Sequence, residues 1–260
     1  MRRAIGAALG LAVLASLASP ASTRAQRAAV RREAAVPFHV GETLTYDVSW
    51  SSYLVAGTAT ARVIEKKASS PSAAYTIVAD GRPVPLLARL YRLYYQMDTL
   101  VDSFTLLSER GSLYSEEGAE KTTGTTRFDR RARRAFYERR TDKTDMVDFA
   151  IPAGTQDGLA AFYTIRGRAF KPGERFSVPV ADGGALFTVQ VDVAAPEPVN
   201  VPIGEFSSWN LKAIINDAQG QPVWKNIAVW ISNDARRLPV KLQAELPVGS
   251  FVLALTEVKN

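Results

Sequence analysis

Apolar and polar residues alternate with period two from residue 43 almost to the C-terminus, and the segment 154–170 (GTQDGLAAFYTIRGRAF) breaks that rhythm most clearly. A period of two puts the apolar residues on one face of a strand, so the chain is expected to be mainly β with few helices. Winding 154–170 at about 100° per residue lines up Leu159, Phe162, Tyr163 and Phe170, with Arg166 in their midst. Asp157 is placed to cap the start of this helix, and Lys171-Pro172-Gly173 to end it. A single amphipathic helix between two long β-blocks must bury its stripe on them. The expected fold is a curved antiparallel sheet or half-open barrel wrapped around that central helix.

The strands can be read in order. Leu44, Tyr46, Val48 and Trp50 alternate with Thr43, Thr45, Asp47 and Ser49, and further strands follow over 57–65 and 73–80, an antiparallel meander. Over 83–95 the period changes. Leu86, Leu87, Leu90, Tyr91 and Tyr94 fit a short helix with Pro83 and Pro85 at its start, running into a strand over 96–101. Several more polar strands joined by tight turns are expected over 104–151. After the central helix the stripes Phe187-Val189-Val191-Val193, Trp209-Leu211-Ala213-Ile215 and Val240-Leu242-Ala244-Leu246 return. The segment 223–232, VWKNIAVWIS, is apolar on both faces and predicts a strand covered on both sides. No internal repeat or low-complexity linker divides the chain.

The N-terminus carries Arg2 and Arg3 ahead of an apolar run over 4–18 that is too short to span a bilayer, with small residues at Ser19, Ala21 and Ala25. This predicts a signal peptide over 1–25, cleaved after Ala21 or Ala25, an Ala- and Arg-rich flexible leader over 26–37, and one β-domain over 38–260. The product would be exported to the periplasm, with no transmembrane segment in the mature chain. The leading segment holds three arginines and no acid, so its removal lowers the formal net charge from +6 to +3. A nucleic-acid partner is therefore not implied. With no cysteine, the exported chain has neither disulfides nor thiolate chemistry.

Catalytic constellations are missing from the sequence. His39 is the only histidine, there is no G-x-S-x-G elbow, and no second His or Cys would complete a zinc site. Asp145 with Asp148, or Glu116 with Glu117, are not spaced to oppose each other across a cleft. No catalytic residue, metal or cofactor is expected. Between Arg127 and Lys143 eight bases face three acids; Arg130, Arg131, Arg133 and Arg134 could meet anionic lipid or polysaccharide, or form a solvated sheet face. Arg166, on an apolar helix face, should meet a buried carboxylate or snorkel, with an anion-ligand role as the alternative. The surplus of apolar and aromatic positions suggests a groove for an acyl chain, with Leu90, Tyr91, Tyr94, Phe162, Tyr163, Arg166, Trp209, Trp224 and Trp230 as candidate lining. The same residues would serve equally as core.

Three stretches, FHVGETLTYDVSW, TQDGLAAFYTIRGRAFKPGE and VWISNDARRLPVKLQAELPVGSFVLAL, resemble the exported bacterial domain-of-unknown-function family 3108 (DUF3108) across nearly all of the mature chain. The final hairpin is also similar to one found in periplasmic lipoprotein carriers of the LolA and LolB type, whose architecture is a curved antiparallel sheet closed by helices. The resemblance implies an envelope protein and no chemistry. The expected function is non-enzymatic binding of a lipid or acylated envelope component; an envelope adaptor, and less readily a hydrolase, are the alternatives.

Overall fold

The computed structural model describes residues 32–50, 54–69, 72–246 and 249–260. The signal segment 1–25 and the leader up to residue 31 lie outside the described residues. Contacts to the domain begin before Phe38: Ala34 N–H donates to the Ser103 carbonyl (2.9 Å), and Val36 packs on the core.

Among the described residues fifteen strands form one sheet. The first eight are β1 (Thr43–Trp50), β2 (Leu54–Ser69), β3 (Ser72–Pro83), β4 (Leu93–Asp102), β5 (Ser108–Glu117), β6 (Glu120–Asp129), β7 (Arg134–Arg140) and β8 (Thr144–Ala150). The second block holds β9 (Arg175–Asp182), β10 (Ala185–Val193), β11 (Glu197–Val201), β12 (Gly204–Asn216), β13 (Pro222–Ser232), β14 (Pro239–Leu246) and β15 (Gly249–Lys259). Every ladder is antiparallel and the order is β8-β7-β6-β5-β4-β3-β2-β1-β15-β14-β13-β12-β10-β9, with β11 beside β12. Short turns let most strands pair with their predecessors, β10 passes over β11 to pair with β12, and β1 pairs with β15 to join the two meanders. The sheet edges β8 and β9 are consecutive in the chain. They draw together where Gln156 bridges Val180 and where Ala135, Ile151 and Ala181 bury one another.

Two helices are present among the described residues, α1 (Pro85–Leu90) and α2 (Gly158–Arg166). The cap of α2 follows the sequence: Asp157 Oδ1 accepts from the Ala160 N–H at 2.9 Å. The helix stops earlier than the stripe predicts. Gly167 and Arg168 turn back onto the Thr164 and Ile165 carbonyls (3.1 and 3.0 Å), which frees Phe170 to pack at a tilt against Trp209 (centroids 5.9 Å apart, rings at 56°). Leu159, Ala160 and Tyr163 instead join Phe38, Leu44, Tyr46, Val63, Ile77 and Leu255 in the main core. A second cluster holds Phe170, Val191, Val193, Trp209, Leu211 and Ile231. β13 is central in the sheet but not covered on both sides. Its buried residues, Ile231 and Ser232, lie at its C-terminal end, and the strand from Pro222 to Asn226 is exposed, Trp224 included.

Candidate functional site

Most inward positions carry large apolar side chains, but two neighbouring strands do not. Ala59 pairs with Gly81 and Ala61 with Ala79 across β2 and β3, so four small residues sit together beneath α2. Alternation puts them on the core face, and the space their missing side chains leave is a cavity of about 300 Å³. Gly158, Leu159 and Phe162 of α2 cover it, Tyr95 and Met97 of β4 bound one side, and Tyr46, Leu242 and Leu253 bound the other. Thr60 and Asp80 also border it, although alternation turns their side chains to the opposite face. There Asp80 accepts from Thr60 (2.7 Å), Arg62 (2.5 Å) and Arg82 (3.2 Å).

The hydroxyls that could wet the cavity are occupied. Tyr46 donates to the Pro239 carbonyl at 2.9 Å, and burial raises its phenol far above the ordinary range. Tyr95 donates to Glu117 at 2.6 Å; burial first, then that bond, pushes its pKa up to about 12. Both stay neutral at neutral pH. The cavity therefore offers an almost wholly apolar surface, which suits a hydrocarbon rather than a charged group.

The helix that covers the cavity is pinned at both ends. At its start, Thr99 donates to Asp157 Oδ2 (2.5 Å), the Asp157 N–H donates to Ser108 Oγ (2.9 Å), and Gln156 accepts from Ser108 and donates to the Leu106 carbonyl. Burial, opposed by the bonds from Thr99, Ala160 and Ser108, raises the Asp157 pKa above its ordinary value. At its end, Arg166 is fully buried and donates to Glu42 from both terminal guanidinium nitrogens, at 2.7 and 3.0 Å. It also donates to the Arg237 and Arg236 carbonyls (3.0 and 3.4 Å), and the Phe38 and Tyr163 rings flank it. Burial is the largest single effect and disfavours its charge, but the Glu42 hydrogen bonds and negative charge, with Tyr163 and Tyr46 nearby, together outweigh it and raise the pKa.

The nine side chains singled out from the sequence are spread over several places. Phe162 lines the cavity, and Tyr163 and Arg166 lie deeper along α2. Leu90 and Tyr91 are exposed at α1, and Tyr94 stands on the opposite face from Tyr95, against Tyr114. Trp209 is buried in the second cluster with its Nε1 on Asn233 (2.7 Å), Trp224 is exposed, and Trp230 sits on the outer face of β13. Of the four arginines, Arg130 lies over Phe128 and donates to the Thr155 (2.5 Å) and Ser108 carbonyls. Arg134 pairs with Asp148 (2.7 Å), while Arg131 and Arg133 are exposed. His39 is exposed in the turn before Glu42. Sequence reasoning missed Ala59, Ala61, Ala79 and Gly81, because it searched for large residues. The available signal was a run of small residues at inward positions of two consecutive strands.

Among the described residues no group of three or more His, Cys, Asp or Glu side chains is placed to hold a metal ion, and no helix is long and apolar enough to cross a membrane. Fold and cavity together define a mainly β, barrel-like scaffold with an apolar hollow beneath one helix. The chain belongs to the family described as "Protein of unknown function (DUF3108)", which matches residues 45–256. No curated protein matches it. Among solved structures it is similar to a β-barrel-like protein of domain of unknown function DUF1849 from Brucella abortus, at 13% identity and a TM-score of 0.54, covering 85% of this chain and 97% of that one. A Bacteroides fragilis exported protein with a YmcC-like fold shares 14% identity (TM-score 0.35, covering 88% of this chain and 100% of that one). A Parabacteroides distasonis lipoprotein shares 9% (TM-score 0.34, with the same two coverages). The first supports the barrel-like fold; the other two are too distant to carry an argument.

Proposed function

We propose that the protein is an exported, non-enzymatic binder of a hydrophobic or amphipathic envelope component, with the acyl part of the ligand held in the cavity beneath α2. The observation that carries this reading is the cavity itself: about 300 Å³, lined by small and apolar residues. That is the lower end of the ~300–1,000 Å³ typical of ligand sites, enough for one hydrocarbon chain or part of it. The signal-like N-terminus supports the periplasm as its compartment.

The test is native mass spectrometry with lipid extraction on the mature protein purified from its own envelope fraction, beside Ala79→Phe. Phe at that position projects into the hollow. The wild type should carry a stoichiometric lipid or acylated species and take up fluorescent fatty acid, and Ala79→Phe should do neither while keeping its melting temperature. A clean apo mass with no fatty-acid uptake would overturn the reading. That outcome would favour an envelope adaptor, for which the exposed Leu86, Leu90 and Tyr91 around α1 are the supporting observation.

A further inference from the structure

The face of the sheet turned away from the second core cluster carries a separate feature. Across β9, β10, β12, β13 and β14 runs a groove of about 990 Å³, larger than the cavity under α2 and different in chemistry. Its floor is Ala228, a small residue between Asn226 and Trp230, the outward neighbours on the same strand. Register places Gln243 directly beside Ala228 on β14 and Lys212 on its other side on β12. Gln190 on β10 faces Ser177 on β9.

Three details show that this groove is built rather than incidental. Glu197 Oε1 accepts from Trp230 Nε1 (2.6 Å) and from Asn210 Nδ2 (2.9 Å), so one carboxylate orients both the indole and the amide. Asn210 is 8% exposed, lines the groove, and its Oδ1 has no hydrogen-bond partner among the described residues. A buried acceptor left in that state is destabilising unless something donates to it. Asn226 holds a left-handed backbone (φ 57°) beside a register shift between β12 and β13, a bulge of the kind that re-aims a side chain next to a functional site. Its Nδ2 donates to Glu245 at 2.5 Å.

The chemistry selects the class of ligand. Four primary amides, Gln190, Asn210, Asn226 and Gln243, each offer donors and an acceptor, the match for hydroxyls that do both. The Trp230 indole beside them is partly buried with Lys241 Nζ over its ring (4.8 Å), and its remaining surface offers an apolar platform for the C–H face of a pyranose ring, with its polar edge already fixed. The lining charges cancel: Arg175 pairs with Asp192 (2.6 Å), and Lys212 is balanced by Glu245. A nucleic acid would require a surplus of positive charge and several stacking rings. An added peptide strand would pair along the β9 edge, whereas this groove opens on the face of the strands, most of it over the interior strands β10, β12, β13 and β14. We propose that this groove is a carbohydrate-binding site for a neutral polysaccharide, independent of the apolar cavity.

Affinity electrophoresis of the mature chain in gels containing dextran, galactomannan or hydroxyethylcellulose tests this, with heparin and polygalacturonate as charged controls. The wild type should be retarded by at least one neutral polymer. Trp230→Ala should weaken that retardation at least tenfold, and Trp224→Ala, outside the groove, should leave it unchanged. Ala228→Arg fills the floor without deleting a buried group, so it covers the case in which Trp230→Ala misfolds. It should abolish retardation while leaving fatty-acid uptake intact. The proposal is overturned if no neutral polymer retards the wild type, if only the charged polymers do, or if Ala228→Arg migrates like the wild type.

Discussion

Removing one partner of the buried Arg166–Glu42 pair should be among the most damaging single changes available in this chain. In Arg166→Met the Glu42 carboxylate, 3% exposed on its side chain, loses both charge-assisted bonds, and the Arg236 and Arg237 carbonyls lose their donor. An uncompensated buried charge costs about 3–5 kcal/mol. At roughly 2–4 °C per kcal/mol for a domain of this size, the melting temperature should fall by about 6–20 °C. The companion change Glu42→Leu with Arg166→Met replaces both charges by apolar groups and should recover most of the loss, giving a large favourable coupling in a double-mutant cycle. Urea unfolding of the four proteins at constant slope measures it. If Arg166→Met costs under about 1 kcal/mol, or if the two single losses simply add, the pair does not lock α2 to β1. If Arg166→Met alters ligand binding and leaves stability intact, Arg166 is an anion ligand after all.

Two further outcomes follow from the start of α2. The Asp157 pKa is raised on folding above its unfolded value of 3.8, so its contribution to stability is fully present below about pH 3.8 and lost as pH rises through the folded pKa. Asp157→Asn keeps a capping acceptor but does not titrate. Denaturation from pH 4 to 7 should therefore show the wild type losing ground to the variant as pH climbs, and a flat difference would refute this. Gly111 on β5 lies against the cap: a Cβ there would meet Asp157 Cβ at 2.5 Å and Cγ at 2.7 Å. Gly111→Ala should cost about 1–3 kcal/mol by displacing the first turn of α2, seen as faster hydrogen exchange at Ala160. Unchanged exchange there would show that the turn is not wedged against β5.

Local periodicity carried most of the fold. The helix expected over 83–95 was legible in place but not in extent, since it spans only Pro85–Leu90 while Pro83 ends β3 and Tyr94 belongs to β4. The strand stripes and the Asp157 cap are set by neighbours a few residues away and were legible. The length of α2 was not, because Phe170 answers to Trp209, a contact across the sheet that no local pattern reveals. The cavity was invisible for a related reason. Ala59 and Gly81 form a hollow only once β2 and β3 pair in one register, and alanine at an inward position otherwise reads as ordinary core. The tryptophans drew attention by size, yet burial depends on which face a curved sheet covers. Trp209 and Trp230 share the sheet and stand on opposite sides of it.

The three stretches that carry the family resemblance meet at one place. Phe38 and Glu42 come from the first, Tyr163 and Arg166 from the second, and the carbonyls of Arg236 and Arg237 with Leu238 from the third. Residues brought from so far apart in the chain to satisfy a single buried guanidinium are fixing the docking of α2 on β1 and on the β13–β14 turn. Such a cluster admits few substitutions, since each change leaves a charge or a carbonyl unpaired in the core. The apolar cavity adjoins this ion pair through Tyr46, but its lining and that of the outer groove include small or exposed residues whose replacement leaves no buried charge behind. The motif stretches should therefore identify the scaffold, and on the two proposals above ligand choice should be written largely outside them, at Ala59, Ala79 and Gly81 on one face and at Asn226 and Ala228 on the other. Exchanging the second set between members of the family should move polysaccharide preference and leave the melting temperature within a few degrees.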